Sequence, residues 1–182
     1  MIKLIKKYIS DYIIKNNLNS NSRIKVNRLF SFSQTKIIGI IFNGSIKDNN
    51  IIIKQTIKYF SKVNISCESI GFVNKKKMYE HNLTSLNIDF FNLRDCNLLG
   101  MPKSNNIKSF INKEFDLLIN ISDENHFIYD YIVTKSSSKF KIGHSNNKFY
   151  DLVIKTENNK TDELVKEIIF YLELINSNNE KQ

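Results

Sequence analysis

Phe115-Asp116-Leu117-Leu118-Ile119-Asn120-Ile121, FDLLINI, is the segment around which the chain is organised. A continuous apolar run closed by Ser122-Asp123-Glu124-Asn125 reads as a buried strand that hands over to a helix. A strand covered on both faces belongs in the middle of a sheet, so FDLLINI is expected at the centre. Lys36 to Phe42, KIIGIIF, is a second run of the same kind, and Asn43-Gly44-Ser45 after it has the composition of a turn.

Helices and further strands alternate around these two runs. Asn49 or Asn50 is expected to cap a helix with Ile53, Ile57, Phe60 and Val63 on one face, and Ile65 to Val73 to follow as a strand. Strand, helix and strand within this length fit a right-handed βαβ unit. Ile88 to Leu93 reads as a short strand and Arg94 to Lys103, with Gly100 and Pro102, as an irregular connection. A helix from Ser104 or Asn105 uses Ile107, Phe110 and Ile111 and leads into FDLLINI. Asp123 is expected to cap the next helix, with Phe127, Ile128, Tyr131 and Ile132 on its apolar side.

Lys139 to Gly143 and Tyr150 to Lys155 complete the strands. The last helix opens at Asn159 or Thr161, with Asp162 and Glu163 where the helix dipole favours acids, and repeats Leu164, Val165, Ile168, Ile169, Leu172 and Ile175 at spacings of three and four. The expected fold is α/β, a Rossmann-like three-layer sandwich with a mostly parallel sheet of five or six strands. Residues 36–177 form this domain, 1–35 a basic amphipathic helix and linker arm, and 178–182 a polar tail.

In that arm Ile2, Ile5, Ile9, Tyr12 and Ile13 share one helical face, with Lys3, Lys6, Lys7 and Lys15 largely on the other sides. The net charge of +9 is concentrated near it. Residues 1–63 hold ten Lys and two Arg against Asp11 and Asp48, a net of +10, so the rest of the chain is close to neutral. Charge of one sign gathered in this way attracts RNA, DNA or an anionic membrane surface through a screened, largely sequence-independent force. The abundance of Ile, Asn and Lys also fits a coding bias that would put Lys on any solvated face.

Cys67 and Cys96 make no disulfide framework and no zinc spacing, which suits a reduced, cytoplasmic setting with no disulfide partner. Residues 1–16 mix charges among their apolar positions and fall short of the roughly 20 apolar residues that cross a bilayer. The segments FDLLINIS, SKFKIG, YDLVI and NLLGMPKS are similar to an uncharacterised α/β family of Bacteroidota proteins of about this length, from about Lys36 to the end. That resemblance implies the domain and carries no activity, cofactor or catalytic residue. A strand of FDLLIN type, a helix and a strand ending in Ile142-Gly143 also resemble the N-terminal half of heptosyltransferase-like glycosyltransferases. This chain lacks room for their second nucleotide-sugar domain, so the likeness is shared fold grammar.

In an open parallel sheet, ligands bind beyond the carboxyl ends of the strands where strand order reverses. With the order 3-2-1-4-5 that crevice lies between KIIGIIF and FDLLINI and gathers Asn43, Gly44 and Ser45 with Ser122, Asp123, Asn125 and His126. A carboxylate near an imidazole suits acid–base work, and helix-start amides suit an anion. Asp123 is equally an N-cap, and Asn-Gly-Ser an ordinary turn. No glycine-rich phosphate loop or GxSxG elbow is present. His81, His126 and His144 lack metal-ligand spacing, and Cys96 beside Asp95 and Arg94 has no motif of a reactive thiol. No catalytic residue, metal or cofactor is expected.

Tyr8, Tyr12, Phe30 and Phe32 lie among basic residues, a mixture that suits stacking on single-stranded RNA and equally suits anchoring the arm to the domain. The favoured expectation is a non-catalytic cytoplasmic protein that binds RNA or a ribonucleoprotein through Lys3, Lys6, Lys7, Arg23, Lys25 and Arg28. The alternatives are a small Rossmann-like enzyme or small-molecule binder using the crevice, and peripheral attachment of helix 2–16 to an anionic membrane.

Overall fold

The apolar runs become a parallel sheet in the computed structural model, which describes residues 11–16, 31–122, 124, 126–145, 148–157 and 160–179. Among them the strands are β1 (Ile37–Asn43), β2 (Ser66–Val73), β3 (Ile88–Asn92), β4 (Leu117–Asn120), β5 (Phe140–Gly143) and β6 (Leu152–Val153). The helices are α1 (Lys47–Lys62), α2 (Asn105–Asn112), α3 (Phe127–Lys135) and α4 (Thr161–Asn179). Residues 11–16 are also helical.

The sheet order is β3-β2-β1-β4-β5-β6, and every pairing is parallel. Ile38 of β1 lies between Cys67 of β2 and Leu117 of β4, so KIIGIIF and FDLLINI run side by side at the centre. Alternation along β1 sends Ile38, Ile40 and Phe42 to one core, shared with Ile53 and Phe60 of α1 and Ile168 and Leu172 of α4. Ile41 turns to the other core, with Ile107 and Phe110 of α2 and Ile128 and Ile132 of α3. Each of these aliphatic or aromatic side chains contributes about 1.5–3 kcal/mol when fully buried. Burial on both faces is why both stretches read as unbroken apolar runs.

At the amino end of the sheet, Asp116 ties three strands together. Its Oδ2 accepts from the backbone N–H of Lys36 at 2.9 Å and of Ile37 at 3.1 Å, and its Oδ1 accepts from Lys139 Nζ at 2.7 Å. Helix α1 ends in a Schellman turn, in which Asn64 takes the left-handed φ of 60° that Asn tolerates better than most residues. There the N–H of Ile65 donates to Phe60 O at 3.0 Å, and that of Asn64 to Ser61 O at 3.1 Å.

Several boundaries differ from the sequence reading. Helix α1 starts at Lys47 behind N-cap Ile46, so Asn49 and Asn50 are not caps but buried residues of its first turns. Their amides satisfy neighbouring carbonyls: Asn49 Nδ2 donates to Asn43 O at 2.9 Å and Asn50 Nδ2 to His81 O at 2.7 Å. Val63 is the C-cap and is 47% exposed, outside the buried face. Helix α3 is capped by His126, not Asp123: it starts at Phe127, and His126 Nδ1 accepts from Ile128 N–H at 3.2 Å. Its buried side is Ile128, Tyr129, Ile132 and Val133, which leaves Phe127 and Tyr131 at the margin. Cys67 packs with Ile65, whereas Ile70 faces the opposite core.

Candidate functional site

The junction expected to hold a ligand is present, because strand order reverses between β1 and β4 and their carboxyl ends lie side by side. On the β1 side, Asn43 is buried and its Oδ1 accepts from Ser45 N–H at 2.9 Å, which closes a tight turn. Gly44 donates to Phe72 O at 2.8 Å, and its own carbonyl accepts from Asn82 Nδ2 at 2.7 Å, with His81 Nε2 at 3.4 Å. A Cβ on Gly44 would stand 3.2 Å from the Gly71 carbonyl carbon and from Phe90 and Val73, so the loop lies flat on β2. Ser45 Oγ accepts from Asn74 N–H at 3.2 Å. The three residues thus fasten the turn to β2 and to segment 79–82.

On the β4 side, Ser122 has no exposed surface and donates its hydroxyl to Asn120 Oδ1 at 2.7 Å. Asn120 Oδ1 also accepts from Ser122 N–H at 3.1 Å, while its Nδ2 donates to Tyr150 Oη at 2.7 Å. The Tyr150 ring lies on Gly143, where a Cβ would come within 2.3 Å of it. This buried chain from β4 to the entry of β6 was not read from the sequence. Its one signal was Asn120, the polar break inside an apolar run. Burial pushes the Tyr150 phenol well above its usual range; the nearby Asp130 carboxylate adds to this, and bonds to Asn120 and Ser145 oppose it. Tyr150 therefore stays protonated and serves as a hydrogen-bonding post.

His126 packs its ring on Phe72, with centroids 5.0 Å apart, and burial lowers its pKa against a weaker opposing pull from Glu124. Because Nδ1 accepts the Ile128 N–H, the neutral ring carries its proton on Nε2. On α3, Asp130 is half-buried and burial raises its carboxyl to about 6. Burial thus favours the neutral form of both the imidazole and the carboxyl, and the Ser122 hydroxyl, bonded to Asn120, is closed off as a nucleophile. Asp123 and Asn125 lie outside the described residues, as do Lys3, Lys6, Lys7, Arg23, Lys25 and Arg28.

Neither cysteine is poised for chemistry. Burial pushes Cys67 up to about 12, and burial with the neighbouring Asp95 outweighs Lys103 to push Cys96 up to about 11. Among the described residues no group of three His, Cys, Asp or Glu side chains could hold a metal ion, and no helix is long and apolar enough to cross a membrane.

The described part of the basic first third is most visible on α1. Lys47, Lys54, Lys58 and Lys62 are exposed, and none makes an ion pair among the described residues. Their spacing keeps them near one side of the helix, over a length of about 22 Å at 1.5 Å per residue. Close to the start of α1, Asn74 bonds Ser45 and is followed by exposed Lys75, Lys76 and Lys77. Lys75 Nζ sits 4.9 Å from the centre of the Tyr79 ring.

The whole of this arrangement lies within a region shared with other proteins: the chain belongs to DUF6913, a family of unknown function, whose model matches residues 6–175. The match spans all six strands. No curated protein and no solved structure matches the chain.

Proposed function

We propose that this α/β protein is a binding protein, not a catalyst, and that the basic first third of its chain engages RNA or a ribonucleoprotein surface. The observation that carries this reading is the row of exposed lysines on α1, Lys47, Lys54, Lys58 and Lys62, which make no ion pair among the described residues and belong to the basic first third of the chain. Lysines without acidic partners are free to replace the counterions around a phosphate backbone, and the release of those ions drives association. Lys3, Lys6, Lys7, Arg23, Lys25 and Arg28 would extend the contact from the arm. The two free, buried cysteines suit a cytoplasmic setting, where RNA is met.

Affinity purification of the tagged full chain, with and without ribonuclease, tests the proposal. RNA that co-purifies at low salt and is lost on nuclease treatment or in high salt is the expected result. A purified protein free of RNA that instead sediments with anionic vesicles would transfer the basic surface to a membrane role and overturn the reading.

A second reading, a small-molecule site at the β1–β4 junction, is favoured by His126 alone, whose Nε2–H has no hydrogen bond among the described residues. It would use Asn43, Gly44, Ser45, Ser122, Asp123, Asn125 and His126. Chemical-shift changes at His126 and at the amides of Gly44 and Ser45 on titration with inorganic phosphate, with the amide changes lost in a His126→Ala variant, would support it; an unmoved His126 resonance would remove it.

A further inference from the structure

A second concave surface lies at the opposite end of the sheet from the junction where ligands bind in such folds. A cavity of about 340 Å³ opens between the amino-terminal halves of β2 and β3 and one side of α2. Strand alternation points Glu68 and Ile70 of β2, with Asp89 of β3, toward this face, and Asp89 stands beside Ile70 in the register. Helix α2 contributes Asn106, Ser109 and Phe110, which recur at spacings of three and four and so face the same space, and Lys113, its C-cap, adds a fourth lining residue.

The polar groups of this wall divide into two kinds. Lys113 Nζ is paired with Glu68 Oε1, so these two charges neutralise one another. The half-buried Asp89 carboxylate makes no hydrogen bond or ion pair among the described residues. The same is true of the side chains of Asn87, Asn106 and Ser109, although Asn87 O accepts from Ser69 Oγ at 2.9 Å. Four polar side chains with no hydrogen-bond partner among the described residues, Asn106 and Ser109 of them exposed to solvent, thus surround an apolar floor of Ile70 and Phe110, and the charge left uncompensated among the described lining residues is negative.

We propose that this cavity is a binding site for a small amine. The ammonium group would donate to Asp89, the carbon skeleton would lie on Phe110 and Ile70, and a second polar group would meet Asn106 or Ser109. Room for roughly ten non-hydrogen atoms follows if each occupies about the volume of a water molecule. The proposal is independent of RNA binding, because it uses neither the arm nor α1.

The test is an amide chemical-shift titration of the isotopically labelled full chain with ethanolamine, putrescine and tyramine, against ethylene glycol and p-cresol as uncharged counterparts. At least one amine should move the amides of Ser69, Asn87, Asp89 and Asn106–Lys113 in a saturating manner, while the uncharged compounds leave them unmoved. Asp89→Asn, which keeps size and removes charge, should weaken that amine roughly tenfold or more, as loss of a charge-assisted bond does. A spectrum of the variant that matches the wild type outside the cavity shows that the fold is intact. Lack of a saturating response to any of the three amines, equal response to the uncharged compounds, or unchanged affinity in Asp89→Asn overturns the proposal.

Discussion

Replacing Gly143 by Ala tests the buried chain that joins β4, β5 and the entry to β6. Backbone preference alone predicts a gain, since Gly143 lies in a strand, is not among the residues with positive φ, and Gly→Ala at a compatible site stabilises by about 0.4–1 kcal/mol. The structure predicts the opposite. A Cβ would stand 2.3, 2.4 and 2.7 Å from Cε1, Cζ and Cδ1 of Tyr150, whereas carbon atoms rest about 3.5–4.0 Å apart.

Relief requires the ring to retreat by about 1 Å or more, which would stretch the 2.7 Å bond from Asn120 Nδ2 to Tyr150 Oη beyond useful range. Overpacking costs about 1–3 kcal/mol and a stranded buried amide about 1–3 kcal/mol more, so a total near 4 kcal/mol is expected. In urea, with a slope of about 2 kcal/mol per molar, the midpoint should fall by roughly 2 M. Far-ultraviolet circular dichroism would follow the transition for wild type, Gly143→Ala, Tyr150→Leu and the double variant. In the Tyr150→Leu background the added methyl group should cost at least about 1 kcal/mol less. A loss below about 0.5 kcal/mol in the single variant, or no coupling in the cycle, would refute the packing argument.

Two further predictions concern carboxylates whose ionisation the fold perturbs. Burial opposes ionisation of Asp116, but the bonds from Lys139 and from the N–H groups of Lys36 and Ile37 outweigh it and hold the carboxyl below its usual range. Its stabilisation is therefore complete above the unfolded-state pKa and is lost as pH falls through the lower folded-state value, so the cost of Asp116→Asn, about 1.5–3 kcal/mol at pH 7, should shrink in acid. Equal destabilisation by Asp116→Asn at pH 7 and at pH 2 would count against this. Asp130 has the reverse sign. With its carboxyl raised to about 6, the native state favours the protonated form, and stability falls as pH rises from about 4 through about 6. Asp130→Asn should raise thermal stability at pH 7 by about 1 kcal/mol relative to its effect at pH 4, after allowance for partial solvation; an effect that does not depend on pH would sink the assignment.

The central strands were legible because burial on both faces leaves a mark in the sequence: KIIGIIF and FDLLINI have little choice but the middle of a covered parallel sheet. Turn chemistry was less legible. Asn49 and Asn50 are good N-cap residue types, yet the cap of α1 is Ile46, and the Asn amides are drawn to carbonyls of Asn43 and His81; at α3 the helix starts later than the acidic Asp123 suggests, and the cap is His126. The Asn120–Tyr150–Gly143 arrangement joins residues up to 30 positions apart, and no local pattern announces it. Lys141 is a similar case: in sequence it is one lysine among many, but it is buried and donates to Val133 O and Ser136 O at the end of α3. The amino-end cavity is a product of where α2 settles against β2 and β3. Charge segregation, by contrast, is a property of the sequence itself, and α1 shows where part of it sits.

The proposal of an anion-binding surface is tested most directly by the salt dependence of RNA affinity. Fluorescence anisotropy with a labelled single-stranded RNA would be measured from low to moderate salt for the full chain and for a Lys54→Gln, Lys58→Gln, Lys62→Gln variant. Three lost phosphate contacts should flatten the slope of log affinity against log salt by about 2, at little cost in stability. Identical slopes for the two proteins, or affinity insensitive to salt in both, would contradict it.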